Sequence, residues 1–124
     1  MPPTMPGWNL GLRFVLEVMA LVGLGAAAWS LASDPVRWLA VVLVPAAAAA
    51  VWVVFNVLDD PSRSGAAPVE VAGWIRLTLE LTILGGGALA VARVAGPPAG
   101  LTVAALVAFH YAASWDRVVW LSHA

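Results

Sequence analysis

GLRFVLEVMALVGLG, from Gly11 to Gly25, and WIRLTLELTILGGGA, from Trp74 to Ala88, are the two stretches of sequence that decide the fold. Both are apolar, and both contain an arginine followed four residues later by a glutamate. A shift by about half of the chain length aligns them, so that the two Arg–Glu pairs coincide. Such internal similarity indicates one structural unit that occurs twice. We therefore predict a duplicated helical hairpin.

The composition around these stretches is that of a membrane protein. Of the 124 residues, 62% are hydrophobic and 10% are charged, whereas soluble domains contain roughly 25% charged residues. A helix that crosses about 30 Å of hydrocarbon needs about 20 residues, and four apolar segments have that length: about 10–31, 35–58, 72–95 and 98–121. We expect one domain over residues 1–124, an all-α integral membrane four-helix bundle in which the two hairpins form a parallel repeat.

The residue types that are rare exclude several functions. The chain has no lysine and a net charge of −1, which leaves no basic surface for nucleic acid. The absence of cysteine excludes disulfides and thiolate ligands, and one histidine within the spans, His110, is too few for a metal site. We expect no metal and no cofactor. The expected partners are a lipophilic small molecule and the lipid bilayer, and a homodimer is allowed but not required.

Ionisable residues within the spans concentrate on the side of the membrane that holds both termini. Each costs roughly 2.5 to 3.5 kcal/mol on insertion and is a functional candidate by default. Polar faces in lipid pack against each other, so we predict a cup that is polar at its rim and opens toward the terminus side. The Arg–Glu pairs would also hold the bundle together as ion pairs. The polar residues on these faces are Arg13, Glu17, Asn56, Asp59, Asp60, Arg76, Glu80, His110, Ser114, Asp116 and Arg117.

Aromatic residues at similar depth would line the predicted cup. Aromatic faces bind apolar chains and cations, which makes these residues candidates for substrate binding together with Arg13, Asn56, Arg76 and His110. The tryptophans other than Trp52 and Trp115 fit the interfacial belts of a membrane protein. The aromatic candidates are Phe14, Trp52, Phe55, Phe109, Tyr111 and Trp115.

Three segments resemble the small YrdB-like bacterial membrane proteins, and the resemblance covers nearly the whole chain. The segments are NLGLRF (Asn9 to Phe14), which leads to Leu16-Glu17, residues 46–54, and RLTLEL (Arg76 to Leu81). The chain is also similar to actinobacterial four-helix proteins that act as membrane-bound terpenoid cyclases on prenylated indole compounds. These resemblances imply a place in the bacterial inner membrane. The arginine distribution favours cytoplasmic N- and C-termini.

The function that we predict is a terpene cyclase, an isomerase of natural product biosynthesis that cyclises a farnesyl-type chain on an indole or other aromatic head. An acid-initiated cyclisation needs a protonated acid at an alkene, a dry cavity, aromatic faces for carbocations and a final base. The sequence does not choose between four candidate acids. They are Glu17, Asp60, Glu80 and Asp116.

Two other classes of function fit the same residues. Small multidrug exporters have a similar length and a membrane glutamate near aromatic residues, and Glu17 with Trp115 would play that part in proton-coupled export of lipophilic cations. A non-catalytic accessory subunit would use the charged pairs for packing alone. That third class predicts that no ligand-sized cavity lies between the helices.

Overall fold

The computed structural model describes residues 2–124, which form five helices and one pair of very short strands. The strands β1 and β2 pair in parallel within the connection between the second and third helices. The helices and strands, in chain order, are α1 (Gly7–Leu31), α2 (Val36–Val54), β1 (Phe55–Asn56), β2 (Val69–Glu70), α3 (Gly73–Ala95), α4 (Pro97–Ala113) and α5 (Trp115–His123).

Three of the helices, α1, α2 and α3, are long and apolar enough to cross a membrane. Large apolar side chains such as Phe14, Leu39 and Leu89 are exposed along these helices. An apolar surface of this extent is unfavourable in water and is expected of a protein that faces lipid. The helices therefore indicate a membrane protein, as the composition predicts.

The helix α1 lies at the centre and packs against both α2 and α3, while α4 packs mainly on α3. Glycines allow the close approach of α1 and α3. A Cβ atom on Gly87 would lie 2.6 Å from the Cα atom of Ala20, and one on Gly23 would lie 3.0 Å from Val91 Cγ2. Small residues at such a crossing let helices pack tightly in lipid.

The second helix is shorter than the predicted span 35–58. It ends at Val54 because the backbone of Phe55 is extended and Asn56 pairs with the segment that precedes α3. The guanidinium of Arg76 donates hydrogen bonds to the carbonyls of Trp52 (2.7 Å) and Phe55 (2.8 Å). Carbonyls at a helix end need such partners, so Arg76 stabilises the point at which α2 stops.

The predicted span 98–121 differs from the structure, which divides it into α4 and α5. The break is at Ser114, whose backbone leaves the helical region with φ −110 and ψ 34. The Ser114 hydroxyl donates a hydrogen bond of 2.7 Å to the carbonyl of His110. A serine that bonds to the backbone in this way satisfies a carbonyl near the helix end. The break sets the direction from which Arg117 reaches the interior.

Candidate functional site

Glu80 is the centre of a buried ionic cluster. Its carboxylate accepts hydrogen bonds from Arg76 Nε at 2.7 Å, from both terminal nitrogens of Arg117 at 2.6 and 3.0 Å, and from Arg13 Nη1 at 3.1 Å. The Tyr111 hydroxyl donates a further one at 2.7 Å. Glu80 has no exposed surface. A charge buried at this depth is tolerated because it is paired and hydrogen-bonded.

Asp60 is the second carboxylate of this ionic cluster and lies in the connection between α2 and α3. Arg117 binds it in a bidentate manner, with Nε at 2.8 Å and Nη2 at 2.6 Å. The backbone N–H and hydroxyl of Ser62 also donate to Asp60 Oδ1, at 2.9 and 2.8 Å. Burial alone would raise the pKa of Asp60, but the hydrogen bonds and charge of Arg117 hold it below its usual value. Asp60 is therefore an ion-pair partner.

His110 joins the ionic cluster through two ring nitrogens. Its Nδ1 lies 2.7 Å from Asn9 Oδ1, and its Nε2 lies 3.4 Å from Arg13 Nη1. A guanidinium only donates hydrogen bonds, so Nε2 accepts and Nδ1 carries the proton that is donated to Asn9. His110 is thus neutral, with its proton on Nδ1, and Asn9 and Arg13 hold its ring from the two sides.

Trp52 packs against two of the arginines. The guanidinium carbons of Arg13 and Arg76 lie 4.8 and 4.7 Å from the centroid of its ring. These are cation–π distances, so the face of the indole is already occupied. The indole N–H is buried and has no acceptor among the described residues.

The structure brings together most, but not all, of the residues that the sequence singled out. Asn56 is buried and bonds to the carbonyl of Val53 instead of joining the cluster, and Phe55 is half-buried. The members of the ionic cluster and its direct neighbours are Arg13, Trp52, Asp60, Arg76, Glu80, His110 and Tyr111. Four candidates lie on the outer surface and take no part in it: Phe14, Phe109, Trp115 and Asp116.

Two members of the ionic cluster, Asn9 and Arg117, were not among the predicted site residues, although Arg117 was placed on a polar face of the cup. Asn9 stands one helical turn before Arg13, and Arg117 continues the face that carries His110 and Ser114. Both spacings place the residues on a polar helix face. The sequence therefore showed the polar face. It did not show the helix break at Ser114 that brings Arg117 to Glu80.

Glu17 differs from the other candidate acids because it lines a cavity. We name this cavity of about 150 Å³ the Glu17 pocket. The only ionic contact of Glu17 among the described residues is Arg13 Nε at 3.5 Å, and its side chain is 25% exposed. The residues that line the Glu17 pocket are Glu17, Leu21, Ala49, Trp52, Val53, Arg63 and Ile83.

A second, more open cleft of about 440 Å³ adjoins the Glu17 pocket. Glu17 and Arg63 line both spaces, so they stand between the surface and the interior. The rest of the cleft comes from α1, with Leu10 and Phe14, and from residues 61–64 of the connection. The two spaces together run from a polar mouth to an apolar end.

Comparisons with known proteins show the family to which the chain belongs. Residues 11–108 match a family described as "Protein of unknown function (DUF2568)". The chain belongs to the DUF2568 family. The uncharacterized protein YrdB of Bacillus subtilis (strain 168) is 37% identical over 113 residues, which cover 91% of this chain and 92% of YrdB. No solved structure shows a significant match.

The DUF2568 match confirms the resemblance to YrdB-like proteins. It includes both Arg–Glu pairs and Asp60, and it ends before His110 and Arg117. Neither the description of DUF2568 nor the name of the relative states a function. They do not support the resemblance to terpenoid cyclases.

Proposed function

We propose that this DUF2568 protein binds a lipophilic small molecule with a polar head in the Glu17 pocket. The observation that carries the proposal is the contrast between Glu17 and the other carboxylates of the interior. Glu80 and Asp60 are fully buried and are held by arginines, whereas Glu17 accepts no hydrogen bond of ordinary length and lines a cavity. A concave, mostly apolar site with a few polar groups is the usual form of a small-molecule pocket.

The apolar end of the Glu17 pocket supports a lipophilic ligand. Leu21, Ala49 and Ile83 come from three different helices, α1, α2 and α3, and form its walls. A cavity of about 150 Å³ accepts a group of the size of benzene. One ring or a short length of chain therefore fits inside, and the remainder of a larger ligand lies in the adjoining cleft.

The buried ionic cluster supports the pocket mechanically. Arg13 connects Glu17 on α1 with Glu80 on α3, and Arg76 connects Glu80 with the end of α2. These contacts fix the three helices that form the pocket walls. A binding site whose polar groups are held by surrounding hydrogen bonds loses little entropy when a ligand enters.

The experiment is a mass-spectrometric analysis of small molecules that purify with the full-length protein. Ala49→Trp places an indole in the pocket, whereas Ala47→Trp, on the exposed side of the same helix, adds the same group outside it. We expect a lipophilic compound with the wild type and with A47W, and none with A49W. The same compounds with both variants, or only bulk lipid with the wild type, would contradict the proposal.

Acid-initiated cyclisation is a second candidate function, favoured by one observation. Of the four candidate acids, only Glu17 lines one of the described cavities. Membranes incubated with a prenylated indole would form an isomer of equal mass. Glu17→Gln would abolish this product, while Asp116→Asn, at an exposed position, would not. Equal product from the wild type and E17Q would exclude Glu17 as the acid.

A further inference from the structure

We infer that the Glu17 pocket selects an amphiphile with an anionic head, which binds Arg63 at the mouth of the pocket. This inference rests on the proposed binding function and names the chemical class of its ligand. The head is a carboxylate or phosphate, and the tail is a single apolar chain or ring. A ligand of this class is either a free amphiphile, such as a fatty carboxylate, or an anionic membrane lipid.

The charges of the interior balance before any ligand is added. Three guanidiniums, those of Arg13, Arg76 and Arg117, meet three carboxylates: Glu17, Asp60 and Glu80. An uncompensated charge at this depth is expensive. Glu17 therefore serves as the counter-ion that completes the set, with Arg13 as its partner. Because Arg13 already neutralises Glu17, the site does not need a cationic ligand to balance its charge.

Arg63 is the next charged residue outward, and its side chain has no partner within the part of the chain that the structure describes. Among residues 2–124 its side chain makes no ion pair within 4.0 Å and no hydrogen bond, although it is half-buried and lines both the pocket and the cleft. Adding Arg63 to the balanced set gives the site a charge of +1. An arginine at such a place binds carboxylates and phosphates through its planar donor fork.

The backbone of Arg63 is held in place by the ionic cluster. Its N–H donates to the carbonyl of Asp60 at 3.2 Å, and the Asp60 carboxylate is bound by Arg117 and Ser62. Arg63 therefore stands on a turn that is fixed to the interior. The turn thus fixes the backbone from which the Arg63 side chain reaches the mouth of the cavity, and recognition of an acidic head requires such support behind the cation.

The buried polar atoms that lack partners indicate the same sign of ligand. Among the described residues two of them lie beside the pocket: the indole N–H of Trp52, which lines it, and Arg76 Nη2, whose guanidinium lies over the Trp52 ring. Both are donors. Unpaired donors favour a ligand that brings acceptors, as carboxylates and phosphates do, over an ammonium group, which brings only donors.

The test compares chain-matched probes with the full-length protein in nanodiscs of phosphatidylcholine. The probes are dodecanoate, dodecylammonium and dodecanol, each labelled with ¹³C at its first carbon. A ¹³C resonance that differs from that of the same probe in the bilayer alone reports a probe bound to the protein. We expect this resonance for dodecanoate with the wild type and with Arg93→Gln. Arg93 is the control because it lies near the C-terminal end of α3 and does not line the Glu17 pocket. Arg63→Gln removes a charge-assisted hydrogen bond and weakens dodecanoate binding by about tenfold or more, and Arg63→Glu abolishes it.

The outcomes separate the inference from the proposed function. Equal binding of dodecylammonium and dodecanoate, or unchanged binding in R63Q, would overturn the anionic preference while Ala49→Trp still blocks all three probes. If A49W bound every probe as the wild type does, the proposed binding function of the Glu17 pocket would be overturned. Phosphatidylglycerol in the nanodiscs then identifies the source: a membrane lipid if it displaces dodecanoate, and a free amphiphile if it does not.

Discussion

Glu80 and Glu17 share one arginine, but their surroundings are opposite. Arg13 lies 2.9 Å from Glu80 Oε2 and 3.5 Å from Glu17 Oε1. Glu80 has two further arginine partners and no exposed surface. Among the described residues Glu17 has no further arginine partner within 4.0 Å, and it faces a cavity. One glutamate therefore holds the helices together, and the other is available at a site.

Glu80→Gln should destabilise the protein strongly. It removes the carboxylate that three arginines share and leaves buried positive charge without compensation, at a cost of about 3–5 kcal/mol in the free energy of unfolding. Asp116→Asn, at the exposed end of the chain, should change it by less than about 0.5 kcal/mol. Denaturant unfolding in detergent micelles, followed by circular dichroism, measures both. Equal stability of E80Q and D116N would contradict the role of Glu80.

Stability should fall in acid because of Asp60. Its pKa is below the usual value in the folded protein, so its contribution is complete above the unfolded pKa of about 4 and is lost as the pH falls through the folded pKa. The free energy of unfolding should thus be flat from neutral pH to about pH 5 and then decline. In Asp60→Asn the decline below pH 4 should be shallower. An identical acid slope in the two proteins would rule out this contribution.

The contact between Asn9 and His110 should appear as a coupling energy. Removal of either partner leaves a buried polar group unsatisfied, which costs about 1–3 kcal/mol. Asn9→Leu, His110→Phe and the double variant form a thermodynamic cycle in which the double variant is more stable than the sum of the single effects. Additive effects would show that the 2.7 Å contact contributes nothing beyond packing.

Gly87→Ala should push α1 and α3 apart. The added Cβ would lie 2.6 Å from two atoms of Ala20, and overpacking of this kind costs about 1–3 kcal/mol. Gly85→Ala is the matched control, because a Cβ there meets nothing within 4 Å. G85A should be neutral or stabilising, since alanine favours a helix. The comparison of the two unfolding curves is the measurement.

The long apolar segments and the Arg–Glu spacing were sufficient to predict α1 and α3 and the meeting of their charges. The break at Ser114 was not predictable, because it depends on a tertiary contact: Arg117 reaches Glu80 and Asp60 only from the redirected α5. The different roles of Glu17 and Glu80 were also hidden, since both occur in the same local pattern. The aromatic residues Phe109 and Trp115 were assigned to the cup by depth alone, and depth does not tell which face of a helix points inward.

The measurement that tests the central claim most directly is photolabelling with an acyl carboxylate that carries a diazirine in its chain. The full-length protein in nanodiscs is irradiated and digested, and the labelled residues are identified by mass spectrometry. The Glu17 pocket predicts saturable labelling of Leu21, Ala49 and Ile83 that excess unlabelled carboxylate prevents. Labelling confined to lipid-facing residues such as Leu39 and Leu89, with no effect of the competitor, would contradict it.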